Sequence, residues 1–308
     1  MATCRICLKS VGASMHYHSE CMESLFGIRI PPVLDFEHAK LMGLAAEMAG
    51  KMSISGVQEK VSLKLSDDKA RLELAPMGGR FILKPEPSRF AFIPQNEHLT
   101  MRLAGLVGIE TPPFGLVELK DKAIAYLIKR FDRMDDGTKL QVEDFCQLAE
   151  KPPKDKYQGS GELCVRILRK YASEPLIEIR RLYQVLLFSW WVANGDQHLK
   201  NFSLLRTSEG QWRLAPAYDL ICTRLPIPSD VNLSLPICGK KSNLTRQLWL
   251  DFAQYGQIPK RAAERLLEEQ IDAMESSLDF IAASFLPDEQ KTRYSAIIRQ
   301  NTDLLKTT

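Results

Sequence analysis

The segment Asn194-Gly195-Asp196-Gln197-His198-Leu199-Lys200-Asn201 sets a carboxylate and a carboxamide five residues apart, directly after an apolar run. Phosphoryl transfer asks little covalent chemistry of a protein. It asks for a carboxylate that takes or orients a hydroxyl proton, and for oxygen ligands that hold magnesium against phosphate. Asp196 and Asn201 supply both groups, with His198 and Lys200 between them. Gly195 permits a tight turn behind the apolar helix. Taken alone, the same residues also read as an ordinary turn with Asp196 as a cap.

A second acidic motif follows. Leu214-Ala-Pro-Ala-Tyr-Asp-Leu220 places Asp219 behind Trp212–Leu214, a predicted strand, and ahead of a loop rich in Pro, Ser and Asp over Pro216–Pro236. Base, then Asn, then strand, then acidic metal ligand is the order in which kinases arrange these groups. Upstream, Ser53-Ile-Ser-Gly-Val-Gln-Glu-Lys60 has a single glycine and is no Walker A motif. Its small residues would still let backbone N–H groups approach phosphate oxygens. Lys84, in Phe81-Ile-Leu-Lys-Pro85, stands at the end of a predicted strand, where a lysine could neutralise phosphate. Glu97 on the next predicted helix is a candidate ion-pair partner for it. An exposed strand lysine and an exposed helix glutamate are the plain alternatives.

The elements that must position these groups divide the chain in character. Val61–Leu65, Arg80–Lys84 and Ala123–Lys129 are strand-like. Leu99, Leu103, Leu106 and Val107 recur at helical spacing, with Gly108 as a stop. Leu176–Val192, Lys260–Phe285 and Asp288–Leu305 carry helical periodicity, with Pro259 placed for a helix start. These runs predict an N-terminal segment over 1–45, a sheet-rich lobe over 46–131 and a helical lobe over 132–308. The fold class expected is α+β, two-lobed and protein-kinase-like.

Composition excludes several other functions. With 41 Lys and Arg against 38 Asp and Glu, the net charge of +3 is too small to argue for nucleic acid as the main ligand. The pairs Lys240-Lys241 and Arg180-Arg181 read as solvated faces, so direct DNA binding is not expected. The first residues hold no apolar signal run. The apolar stretch around Leu186–Ala193 is too short for a bilayer. Seven cysteines, an odd number without a secretion signal, point to a reducing compartment; cytoplasmic location is the expectation, with no membrane contact.

Taken in order, Ser53–Lys60, Phe81–Pro85, Lys129-Arg-Phe-Asp-Arg133, Val142-Glu-Asp-Phe-Cys-Gln147, Asn194–Asn201 with Phe202-Ser203, and Pro216-Ala-Tyr-Asp-Leu220 closely resemble the HipA serine/threonine kinases of bacterial toxin–antitoxin systems. The resemblance implies Asp196 as catalytic base and Asn201 and Asp219 as magnesium ligands. It implies ATP contacts from Ser55, Gly56, Val57, Gln58, Glu59, Lys60 and Lys84. A hinge at Lys129, Arg130 and Phe131 would lie beside adenine, and His198, Lys200, Asn201 and Asp219 would complete the set. It gives no chemical role to Glu143–Gln147. It also implies autophosphorylation at Ser53, with Ser55 as a second candidate; a tight turn that needs small residues is the alternative.

Only about fifty residues precede Ser53, and this short form is similar to HipT, the toxin of three-component HipBST systems. The resemblance thus implies a HipB-like DNA-binding antitoxin and a HipS-like small protein as partners, and an aminoacyl-tRNA synthetase as substrate. A pseudokinase that binds partners, or a small-molecule or lipid kinase, is the alternative function.

One cluster stands apart from this pattern. Cys4-Arg-Ile-Cys7, followed by His16, His18 and Cys21, has the residue types of a small zinc knuckle. Cys4, Cys7, His18 and Cys21 would make the four ligands, with His16 as the rival imidazole; incidental cysteines are the alternative. Cys146, Cys164, Cys222 and Cys238 show no ligand pattern and read as small packing residues.

Overall fold

The computed structural model describes residues 2–49, 59–134 and 136–307. These form two compact units. The first takes in Met1–Leu99, Pro112–Gly137 and Ala283–Leu286, and the second takes in Thr100–Thr111, Thr138–Ala282 and Pro287–Thr308.

The first unit begins with a two-stranded ribbon, β1 (Ala2–Thr3) and β2 (Ser10–Val11), followed by α1 (Ser19–Phe26) and α2 (His38–Ala49). Next come β3 (Val61–Leu65), β4 (Leu72–Leu74), β5 (Phe81–Pro85), α3 (Ile93–Leu106), β6 (Phe114–Glu118) and β7 (Ile124–Lys129). The boundary between the units falls within α3. Five strands make one antiparallel sheet in the order β4-β3-β5-β7-β6, so β5, which carries Lys84, is central. Pro85 lacks an N–H to extend the ladder, and β5 ends there.

The N-terminal residues, expected as a segment of their own, are built into this unit's core. Cys4, Ile6, Val11, Met22, Leu25 and Phe26 share one buried cluster with Val61, Leu63, Phe81, Leu83 and Leu127. The rings of Phe26 and Phe81 lie 5.3 Å apart. Burial of this apolar surface, at roughly 25 cal/mol per Å², helps hold so short a ribbon against the sheet. Gly115 in β6 marks a close approach: a Cβ there would stand 2.7 Å from Ile6 Cγ1.

The second unit is mostly helical. β8 (Val142–Asp144) leads into the short α4 (Phe145–Leu148), then α5 (Gly161–Tyr171) and α6 (Pro175–Trp191). β9 (Ser203–Arg206) and β10 (Trp212–Leu214) pair antiparallel, and β8 completes a three-stranded sheet in the order β10-β9-β8. α7 (Arg246–Tyr255), α8 (Lys260–Ala283) and α9 (Asp288–Lys306) follow. α6, α8 and α9 match their predicted spans to within two residues, whereas α4, α5 and α7 were not predicted; Pro216–Pro236 holds turns but no helix or strand.

α6 is the platform for the chemistry. Its Tyr183 stacks on Phe252 of α7, with ring centroids 6.0 Å apart, and Trp190 and Trp249 pack at the same distance. Trp191 is fully buried and its indole N–H donates to Thr302 Oγ1 at 2.8 Å. The last carbonyls of α6, which have no partner within the helix, accept from Asn301 Nδ2 at 3.1 and 2.9 Å. The point from which the Asn194 loop departs is therefore pinned.

Candidate functional site

Behind α6 the chain turns through Ala193, which has a left-handed φ of 53°, and closes on itself. Asn194 Oδ1 accepts the Asp196 N–H at 3.1 Å, and Asn194 Nδ2 donates to Gln197 Oε1 at 3.1 Å. The Gly195 N–H donates to Thr223 Oγ1 at 2.8 Å, and Ser234 Oγ donates to the Gly195 carbonyl. Asn201 Nδ2 reaches back to the Asp196 carbonyl at 3.1 Å. The amide oxygen is then the atom Asn201 offers to a cation. The ordinary-turn reading accounts for the Asn194 bonds, but not for the link between Asp196 and Asn201.

Asp230 backs this loop. A Cβ on Gly195 would come within 2.6 Å of Asp230 Cγ. Gly195→Ala is therefore expected to cost about 1–3 kcal/mol of stability and to displace Asp196. Adding Asp230→Ala should recover most of the loss, because the two residues share one space. Thermal melts of the single and double variants check this, and a wild-type melting point for Gly195→Ala would refute it.

Asp219 is brought to the same loop by the β9–β10 hairpin. The Ala215 N–H donates to the Ser203 carbonyl at 2.8 Å, and Tyr218 OH donates to the Lys200 carbonyl at 3.1 Å. Asp219 itself is held at φ 55°, a strained backbone for a non-glycine residue. Burial pushes His198 below its usual range, against the opposing pull of the Asp196 and Asp219 carboxylates. Its Nδ1 is buried without a hydrogen-bond partner among the described residues. The imidazole thus lies in the field of both carboxylates. The oxygen donors of Asn201 and Asp219 suit magnesium, a hard cation that takes oxygen ligands.

Two contacts were not legible in the motifs. Tyr157 OH donates to Asp196 Oδ1 at 2.6 Å, and its ring meets His198 edge-on with centroids 5.1 Å apart. Lys200 Nζ pairs with Asp144 Oδ2 at 2.6 Å. Asp144 also caps α4, accepting from the Gln147 N–H at 2.9 Å while Gln147 Oε1 accepts from its own N–H. Glu143–Gln147, which had no chemical role in the sequence, anchors Lys200. No local pattern announces either partner, since Tyr157 and Asp196 are 39 positions apart and Asp144 and Lys200 are 56.

In the first unit, Lys84 Nζ lies 2.6 Å from Glu97 Oε1, with the two residues only 5% and 2% exposed. The ammonium also stands 5.5 Å from the ring centre of Tyr126, its register partner on β7. The exposed alternatives for this lysine and glutamate do not hold. Lys129 ends β7. Arg130 grips Asp132 through Nε and Nη2 at 2.9 and 2.8 Å, with Arg133 on the same carboxylate. Burial raises the Asp132 carboxyl, but the two guanidinium groups outweigh it and hold it below the usual range. Phe131, Glu59 and Lys60 are described, with no regular secondary structure. Ser53, Ser55, Gly56, Val57 and Gln58 lie outside the described residues.

The N-terminal cluster is also brought together. One ligand atom from each of Cys4, Cys7, His18 and Cys21 lies within 4.8 Å of all the others. His16 is exposed and outside the group, which leaves His18 as its imidazole. Burial raises the Cys4 thiol, yet the backbone N–H groups of Cys7, Ile6 and His18 outweigh it and hold Cys4 at about 7. Burial and the charge on Cys4 push Cys21 up to about 12. One sulfur is ready to carry charge; a cation would let its neighbours do the same.

A sheet-rich unit with a buried lysine–glutamate pair and a helical unit with an Asp–Asn–Asp set define an α+β, protein-kinase-like fold. The model of the HipA-like C-terminal domain matches residues 52–278, and the chain belongs to that family. It is 32% identical over 241 residues to "Putative kinase Y4mE" of Sinorhizobium fredii, covering 75% of this chain and 57% of that protein. The chain thus spans little more than half of that relative. It is 27% identical over 320 residues to a "Putative kinase" of Haemophilus influenzae, covering 93% of this chain and 92% of the other. A chain of the Shewanella oneidensis MR-1 toxin–antitoxin complex of HipA, HipB and operator DNA superposes with a TM-score of 0.69 at 20% identity, over 83% of this chain and 65% of that one. The Helicobacter pylori proinflammatory kinase CtkA superposes with a TM-score of 0.57 at 16% identity, over 83% and 92%. Among the described residues, no helix is long and apolar enough to cross a membrane.

Proposed function

We propose that this protein is an ATP- and magnesium-dependent serine/threonine protein kinase that acts as the toxin of a toxin–antitoxin system. The observation that carries the reading is the closed Asn194–Asn201 loop, in which the Asn201 amide holds the Asp196 carbonyl while the Asp196 side chain accepts from the Tyr157 hydroxyl. A substrate hydroxyl oxygen attacks the γ-phosphorus and its proton passes to Asp196. The bond to the β–γ bridging oxygen breaks, and ADP leaves. Lys84 would neutralise phosphate charge, and Asn201 and Asp219 would hold magnesium, which would supply charge stabilisation at the phosphate oxygens. Tyr157 must yield its bond to Asp196 when the hydroxyl arrives.

Tyr157 also lines a groove in the second unit, together with Lys151, Ser160, Arg166 and Lys241. The substrate proposed is an aminoacyl-tRNA synthetase, whose modification would silence translation. The HipT-like form, with HipB-like and HipS-like partners in the cytoplasm, is part of the same proposal. Phosphoproteomics of cells expressing wild type against Asp196→Asn tests it. A strongly enriched site on a synthetase supports the reading; growth arrest with no Asp196-dependent phosphosite ends it.

Autophosphorylation at Ser53 or Ser55 belongs to this reading. Phosphate would add roughly −1.5 to −2 charges beside the nucleotide phosphates and displace the loop. Mass spectrometry after incubation with Mg-ATP should find a modified serine in wild type and none in Asp196→Asn. An unmodified wild type refutes it.

A further inference from the structure

We propose that Cys4, Cys7, His18 and Cys21 bind one zinc ion, and that this metal locks the N-terminal turn onto α3, the helix that carries Glu97. The ligands come from two elements. Cys4 and Cys7 lie in the turn between β1 and β2, which is closed by the Leu8 N–H donating to the Cys4 carbonyl at 3.0 Å. His18 precedes α1 and Cys21 sits in its first turn, three residues on.

Around zinc with Zn–S bonds of about 2.3 Å, tetrahedral ligand atoms stand about 3.7 Å apart. His18 Nδ1 already lies 3.3 Å from Cys7 Sγ and 3.9 Å from Cys21 Sγ. The other ring nitrogen, Nε2, is 3.0 Å from the Ser10 carbonyl oxygen, which can only accept. Nε2 therefore carries the proton and Nδ1 turns its lone pair to the sulfurs, the tautomer and outer contact that metal-bound histidines show. Three free sulfurs and one imidazole make a complete closed set for structural zinc. Two strands of two residues cannot hold this geometry alone, and a bound ion would supply what the ribbon lacks.

The residues between the two cysteine ligands are those that grip the rest of the unit. The Arg5 carbonyl accepts from the Leu116 N–H at 2.8 Å, and the Arg5 guanidinium pairs with Glu118 at 2.7 Å. The Ile6 carbonyl lies 2.9 Å from His98 Nε2, which must donate. Tyr17, next to His18, donates its hydroxyl to the Leu116 carbonyl at 3.1 Å. His98 directly follows Glu97, the partner of Lys84. A turn fixed by zinc between Cys4 and Cys7 thereby fixes the carbonyl that holds α3 at this point. Zinc binding stands apart from the proposed kinase activity; its consequence for nucleotide binding rests on that reading.

The test uses the full-length protein, purified without chelators. Elemental analysis should find about one zinc per chain in wild type and in His16→Ala. Cys7→Ser and His18→Ala should lose it. Because those variants could simply unfold, cobalt-substituted wild type provides a second measurement: the visible bands of a tetrahedral, thiolate-rich site are expected. Wild type with less than roughly a tenth of an ion per chain, or with octahedral cobalt bands, overturns the site. Loss of zinc from His16→Ala with retention in His18→Ala overturns the ligand set. For the link to α3, His98→Ala should keep its zinc but bind a non-hydrolysable ATP analogue about tenfold more weakly. Unchanged nucleotide affinity in His98→Ala overturns the link. If wild type holds zinc but binds no nucleotide, the kinase reading and the link fail together while the zinc site stands.

Discussion

Asp196→Asn is expected to lower phosphoryl transfer by about 10²–10⁴-fold, the contribution of a positioned general base, with little change in melting temperature. The separation of the two effects follows from how the loop is built. Its closure uses the backbone of Asp196, whose N–H goes to Asn194 and whose carbonyl goes to Asn201. The side chain contacts the Tyr157 hydroxyl, and an amide oxygen can accept that bond as well. What the substitution removes is the ability to take a proton. Transfer from labelled ATP, measured beside thermal denaturation, checks both halves. Turnover that survives the substitution would mean that another group is the base. A collapse in stability would mean that the side chain is structural.

Lys84→Met should cost about 3–5 kcal/mol of stability, because it leaves the Glu97 carboxylate charged and out of reach of water. At 2% exposure, Glu97 has almost no solvent to turn to. The double variant Lys84→Met/Glu97→Leu should regain most of that stability, since an apolar pair of similar size avoids the desolvation of two ions. It should not regain nucleotide affinity, which on the proposed reading depends on the ammonium. Denaturant unfolding and calorimetric nucleotide titration of the three proteins separate these outcomes. A Lys84→Met variant as stable as wild type would show that the pair is not a buried ion pair in solution.

The two predictions differ in how far their basis was visible in the chain. Asp196, Asn201 and Asp219 fall within 24 residues, so their order in sequence was enough to propose their roles. Lys84 and Glu97 are 13 apart, close enough for strand-then-helix to suggest a pair. That the pair is buried is a property of β5 being central in its sheet, and periodicity does not reveal strand order. β6 was not predicted; in the structure Ile6 occupies the space a side chain at Gly115 would need. The N-terminal segment looked separate because its own apolar residues are few. It becomes part of a core only when Phe26 meets Phe81.

By itself, then, the sequence determined the class of chemistry, the three long helices α6, α8 and α9, and the residue types of the Cys/His cluster. Each of these depends on neighbours a few positions apart, through helical period, turn chemistry or ligand spacing. Tertiary structure alone decided which partners complete them: Tyr157 on Asp196, Asp144 on Lys200, Asp230 behind Gly195, and His98 on the turn between Cys4 and Cys7. Those choices rest on contacts between segments far apart in the chain, made by packing and hydrogen bonding that no local pattern encodes.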